Sequence, residues 1–283
     1  MDGRAEAPAA GTVLNALASG RGAAFAIDEH TTAEVRLDGD ADDVRGEIAG
    51  APDADTDLIE RCVELVTAEF GDGEGGTVRT ESDVPMASGL KSSSAAANAT
   101  VLATLDALGV EDVDREAACR IGVTAAREAG VTVTGAFDDA SASMLGGVTV
   151  TDNRTDDLLA RETVDWDVLV WTPPERAFSA DADVDRCRRI APVADLVAEL
   201  ALDGRYGEAM TVNGFAFCAA LDAPTDPLLE ALPDVTGVSL SGTGPSFTAV
   251  GERETLEELR EQWETRPGTT RLTTTETSGG RTR

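Results

Sequence analysis

Pro85-Met86-Ala87-Ser88-Gly89-Leu90-Lys91-Ser92-Ser93-Ser94-Ala95 joins an alternating, strand-like segment (Thr77 to Val84) to an alanine-rich run that reads as a helix from Ser92 to Leu108. Gly109 follows just past the end of that run, and serine stands at its start, as helix caps require. Gly89 permits close backbone approach, while hydroxyls and free N–H groups gather at a helix N-terminus, where the dipole favours an anion. Lys91 adds a full positive charge suited to phosphate. The plainer alternative is a serine-rich cap with no ligand. The glycine spacing is not that of the G-x-x-x-x-G-K-[ST] loop. Ser88 to Lys91 also spells S-x-x-K, the motif of an acylating serine, but its companion K-T-G element needs a second lysine that this chain lacks.

That lysine stands out against the composition. The chain has 283 residues, 53 acidic and 23 basic, for a formal charge of −30, and Lys91 is its only lysine beside 22 arginines. An acid-rich, lysine-poor surface suits molar salt, where the Debye length shrinks to about 3 Å. Such a charge argues against nucleic acid and against an anionic membrane. No apolar stretch approaches the ~20 residues of a span, and no signal pattern opens the chain, so a cytoplasmic protein is expected. Cys62, Cys119, Cys187 and Cys218 form no C-x-x-C pair and read as small core residues. His30 reads as structural or exposed, and Trp166, Trp171 and Trp263 as packing residues.

Outward from the loop, residues 11–37 read as strands with tight turns, 38–57 as a solvated acidic excursion, and 58–70 and 113–129 as helices. A strand is expected at 147–151 and a break between halves near 152–165, giving domains 1–155 and 156–283. The second half reads as a strand at 168–171, helices at 184–202, 206–221 and 227–232, two strands folded about Ser241 to Pro245, a helix at 255–263 and a last strand at 271–276. That order is β-α-β-β-α-β, the split arrangement of ferredoxin-like domains, so the fold class expected is two-domain α+β. The tail from Ser278 is expected to fray.

Two further segments carry chemistry. Gly135 to Gly147 sets Asp138 and Asp139 among small residues, where a carboxylate can serve as a general base, or can simply form one more acidic turn. Leu240-Ser241-Gly242-Thr243-Gly244-Pro245-Ser246 is a glycine-rich turn.

Together and in this order, the three segments resemble the GHMP kinases, the family of galactokinase, homoserine kinase and mevalonate kinase. Pro85 to Ala95 resembles its P-x-x-x-G-L-G-S-S-A-A phosphate motif, Leu240 to Ser246 its C-terminal glycine loop, and Ala10 to Leu17, with Asn15, its N-terminal motif. Lys91 replaces the motif's second glycine, and the resulting G-L-K-S-S-S-A, with Gly-Ala-Phe-Asp-Asp-Ala and Thr211-Val212-Asn213-Gly214, is similar to the archaeal shikimate kinase branch. The resemblance implies a GHMP kinase fold with a C-terminal ferredoxin-like domain, phosphorylation of the shikimate 3-hydroxyl by ATP in aromatic amino acid biosynthesis, and Mg²⁺. It implies that residues 85–95, Gly242 and Gly244 hold the nucleotide, that Ser93 and Glu128 ligate Mg²⁺, and that Lys91 neutralises phosphoryl charge. Asp139, four residues before Ser143 and seven before Gly146, stands where the family's base aspartate does and is favoured over Asp138. Homoserine or mevalonate as acceptor, or a silent small-molecule sensor, are the competing readings. Shikimate carries a carboxylate, for which Arg21, Arg176, Arg188 and Arg189 are conceivable partners. The sequence leaves the oligomeric state open.

Overall fold

The computed structural model describes residues 1–177 and 182–283. Strands β1 (Asp2–Leu14) and β2 (Arg21–Asp38) form a long antiparallel pair, and between Pro8 and Ala9 their register shifts. Then come β3 (Val44–Ile48), α1 (Asp57–Phe70) and β4 (Gly75–Ser82), with α1 as the crossover that lets β3 and β4 run parallel. Helix α1 buries Ile59, Cys62, Val63 and Val66, one stripe at helical spacing.

Helix α2 (Ser92–Ala107) is buried on nearly every side, and its many alanines allow sheet and helices to approach it closely. It is followed by α3 (Arg115–Glu128), capped by the Asp114 side chain, α4 (Phe137–Leu145), β5 (Val148–Asp152) and β6 (Asp157–Glu162). With β11 (Arg281–Thr282) at one edge, the first sheet runs β11-β1-β2-β4-β3, with β5 on β2 and β6 on β5.

The second sheet holds β7 (Asp167–Thr172), β8 (Gly237–Leu240), β9 (Phe247–Gly251) and β10 (Thr269–Thr274) in the antiparallel order β10-β7-β9-β8. Helices α5 (Val184–Arg188), α6 (Ala191–Leu202), α7 (Tyr206–Leu221) and α8 (Asp226–Ala231) lie between β7 and β8, and α9 (Arg253–Trp263) lies between β9 and β10. This is the split β-α-β order read from the sequence. One core cluster joins Val13, Leu14, Phe25 and Ile27 of the first sheet to Leu169, Phe217, Leu240 and Phe247 of the second half. A second lies under the first sheet, around Val35, Val63, Leu102, Cys119 and Phe137. Burial of each large apolar side chain contributes about 1.5–3 kcal/mol.

Several local expectations change. The acidic excursion contains β3, because Val44 and Ile48 find an edge on β4. The segment at 184–202 is two helices, with Pro192 in the first turn of the second. Residues 157–162 pair with β5, so the division between sheets falls after Glu162, inside the expected break at 152–165 though later than residue 155. The tail does not fray: β11 (Arg281–Thr282) pairs with β1 and Gly280 is buried. All four cysteines are buried and free. No helix among the described residues is long and apolar enough to cross a membrane.

Candidate active site

The loop from Pro85 to Lys91 ends in a residue with left-handed backbone: Lys91, at φ 63°, is the N-cap of α2 and offers no side-chain cap. A non-glycine residue held there signals a constraint worth a function. With no cap, the N–H groups of Ser92, Ser93 and Ser94 have no protein acceptor among the described residues; the first bonded amide is that of Ala95, to Lys91 O at 3.1 Å. Three unbonded amides at the positive end of a 16-residue helix form a cradle for an anion, which fits phosphate. Ser93 is exposed at its mouth.

Ser88 does not fit the acylating reading. It is 2 % exposed and its hydroxyl donates to the Pro85 carbonyl at 2.8 Å, so it faces inward. Its own carbonyl accepts from Ser246 N at 3.1 Å, and Ser241 Oγ donates to Gly89 O at 2.9 Å. The glycine loop of the second half is thereby docked on the loop at 85–91. Gly242 is held from the other side, its N–H donating to Thr12 Oγ1 at 2.8 Å and its carbonyl accepting from Asn15 Nδ2 at 2.8 Å. Asn213 Oδ1 in turn accepts from Asn15 N at 3.0 Å. The three motif segments, far apart in sequence, thus meet in one place.

Lys91 Nζ lies 2.8 Å from Asp139 Oδ1, and both side chains are largely buried, 8 % and 15 % exposed. Asp139 sits in the first turn of α4, which starts from the left-handed Ala136 at φ 51°. The segment read as an acidic turn is therefore a short helix that presents Asp139 to Lys91 across the cradle. Asp138, its neighbour, is turned inward. Asn153 Nδ2 donates to Asp138 Oδ1 at 2.7 Å, and Asp138 N donates back to Asn153 Oδ1 at 3.1 Å. Burial first, and the Asp139 carboxylate second, push the Asp138 carboxyl up to about 7. Only glycine fits at position 22 opposite it, since a Cβ there would lie 2.3 Å from Asp138 Oδ2.

Glu128 is not brought to this pair. The short connection at 108–114 makes α2 and α3 antiparallel neighbours, with Gly122 against Ala97, so the end of α3 comes level with the start of α2. The Glu128 carboxylate nevertheless accepts from Arg61 Nε of α1 at 2.6 Å and is half-exposed. Among the arginines considered from sequence, Arg188 pairs with Asp185 at 3.0 Å, and Arg21 lies near Asp152. Arg176 is exposed, without a side-chain partner among the described residues, and precedes Ala177, whose N–H donates to Ala87 O at 3.0 Å.

Sequence reasoning missed Thr12, Asn153 and Arg61. Thr12 and Asn153 act through hydrogen bonds to residues more than ten positions away, and no local spacing marks them.

Comparison with known proteins agrees with this geometry. Residues 57–147 match the GHMP kinases N terminal domain model. A shikimate kinase from Halobacterium salinarum is 67 % identical over 283 residues, all of both chains. The chain belongs to the GHMP kinase family, in the branch of the archaeal shikimate kinases. A shikimate kinase from Methanosarcina mazei is 53 % identical over 265 residues, 93 % of this chain and 90 % of its relative. The fold of this GHMP kinase is that of a homoserine kinase from Cytophaga hutchinsonii, at TM-score 0.78 and 18 % identity over 100 % of this chain and 97 % of that one. It is also that of the Methanococcus jannaschii mevalonate kinase, at TM-score 0.76 and 14 % identity over 96 % and 98 %.

Proposed function

We propose that this GHMP kinase transfers the terminal phosphoryl group of ATP to the 3-hydroxyl of shikimate, giving shikimate 3-phosphate and ADP. The observation that carries the chemistry is the buried Lys91–Asp139 pair, 2.8 Å apart, at the uncapped N-terminus of α2. The choice of acceptor is supported by the full-length, 67 % identical shikimate kinase of Halobacterium salinarum.

Phosphoryl transfer asks a protein mainly to align the reactants and neutralise charge. The amides of Ser92, Ser93 and Ser94 bind phosphate oxygens, and residues 85–95 with Gly242 and Gly244 enclose the nucleotide. Lys91 sets its ammonium where charge develops on the transferring group. Asp139, whose carboxylate lies 2.8 Å from the Lys91 ammonium, orients the acceptor hydroxyl and takes its proton. The hydroxyl and carboxylate oxygens of Ser93 and Glu128 are the hard donors Mg²⁺ prefers, and would hold an ion that neutralises phosphate charge. For Glu128 this means exchanging Arg61 for the metal. Arg176 supplies the guanidinium for the shikimate carboxylate, because it flanks the phosphate loop and has no side-chain partner of its own among the described residues.

The test is ADP release from Mg-ATP in about 2–3 M KCl, where screening matches the acidic surface, with shikimate, homoserine and mevalonate in parallel. Turnover with shikimate alone is expected. Turnover with another acceptor keeps the kinase and discards the acceptor; no turnover by folded protein favours a sensor.

A further inference from the structure

The single histidine of the chain stands well away from the kinase motifs in sequence, between two carboxylates. His30 Nδ1 lies 3.6 Å from Asp28 Oδ1, and His30 Nε2 lies 3.8 Å from Glu276 Oε2. One ligand atom from each of the three lies within 4.8 Å of the others. The two contacts are too long for hydrogen bonds. They run to different ring nitrogens, and one ion takes only one of them, so binding at Nε2 requires the exposed Asp28 carboxylate to swing towards that nitrogen, to the edge of a coordination tetrahedron, about 3.3–3.5 Å for bonds of 2.0–2.1 Å. The imidazole is 12 % exposed, and its Nε2 is buried with no hydrogen-bond partner, a state that native proteins rarely leave unexplained.

The surroundings hold these groups in place. The register shift opposite Pro8 and Ala9 leaves Asp28 and Glu29 unpaired with β1, and the His30 N–H donates to Asp83 Oδ2 at 3.0 Å. Ser278 N donates to Glu276 Oε1 at 2.6 Å, which fixes that carboxylate and leaves Oε2 towards the ring. Arg281 Nη1 reaches Glu276 Oε2 at 3.4 Å, but its other nitrogen has a closer partner, Glu6 Oε1, at 2.6 Å. Glu29, next to the site, is taken by Arg271.

We propose that Asp28, His30 and Glu276 bind a divalent transition-metal ion of the zinc class, completed by water, which ties β2 to the chain following β10. Imidazole with two carboxylates suits Zn²⁺, Co²⁺ or Mn²⁺ and not Mg²⁺, whose ligands are oxygens. The ion is separate from any that serves the kinase, and its role is to fasten the C-terminal segment to the first sheet.

One histidine makes the test direct, because its imidazole C–H signals need no assignment. The full chain in KCl buffer at pH 7.5 is titrated with ZnCl₂, followed by proton NMR and thermal melting. Expected are a saturable 1:1 change in the imidazole signals, reversal by EDTA, no response to millimolar MgCl₂, and a higher Tm with Zn²⁺. Asp28→Asn, an exposed change, and Glu276→Gln should each weaken the response at least tenfold while kinase turnover stays unchanged. Imidazole signals that ignore Zn²⁺ would overturn the site. So would a response that survives in Asp28→Asn, since the ion would then be adventitious on an acidic surface.

Discussion

Ser241 and Gly89, 152 residues apart, are in backbone contact: Ser241 Oγ donates to Gly89 O at 2.9 Å, and a Cβ on Gly89 would lie 2.3 Å from the Ser241 carbonyl oxygen. Gly89 also has φ +85°, where side chains are strained. Gly89→Ala is therefore expected to part the two loops, destabilise the fold by about 1–3 kcal/mol, and raise KM for ATP more than KM for the acceptor. Denaturant melts and paired KM measurements check this; unchanged values for both would mean the contact is dispensable.

Lys91 and Asp139, 2.8 Å apart, are expected to act as a unit. Lys91→Ala should lower kcat by about 10²–10³-fold, and Asp139→Asn by about 10²–10⁴-fold. The double variant should be little worse than the poorer single one, because each residue needs the other. Full additivity would show that the two groups work independently.

Asp138 gives a pH signature in stability. With its carboxyl raised to about 7, the folded chain holds a proton that the unfolded chain loses near the usual carboxylate value, about 4. The stability owed to this group is complete below about pH 4 and falls as pH rises to about 7, then levels. Asp138→Asn removes that slope, so its Tm relative to the parent should climb between pH 4 and 7 and stay level above. A pH-independent difference would mean that Asp138 ionises normally.

Arg176→Ala should raise KM for shikimate roughly ten- to hundredfold, the value of a lost charged hydrogen-bond partner, with KM for ATP unchanged. Arg176→Lys should restore part of it. If KM for ATP rises instead, the guanidinium serves the nucleotide.

Glu6 is 1 % exposed and its two oxygens face Arg281, at 2.6 Å, and Arg283. Deleting residues 281–283 strands a buried carboxylate, at an expected cost of about 3–5 kcal/mol. Adding Glu6→Gln to the truncated chain should recover much of it. A truncated chain that melts with the parent would show that water reaches Glu6.

Much of this was legible in the sequence because periodicity and caps are local. The run at 92–107 announced α2, and the element order announced the β10-β7-β9-β8 sheet. The turn into α2 was legible because glycine bends the chain and serines mark a helix start, and the structure leaves that helix end uncapped with Lys91 beside it. The Asp138–Asn153 exchange and the Thr12–Gly242 bond were not, since each depends on which strand lies beside which. Glu128 shows the converse limit. Its place near the end of α3 follows from the helix reading, but Arg61 on a different helix decides where its carboxylate points. The tail was misread for a similar reason, because its Ser/Gly/Arg composition looks solvated until Glu6 supplies a partner.

The Glu6 clasp has a consequence for the order of folding. Glu6 and Arg281 are 275 positions apart, and contacts of such separation are entropically costly to close and form late. Strand β1 therefore keeps one open edge, the kind that invites pairing with another chain, until β11 and the two arginines cover it.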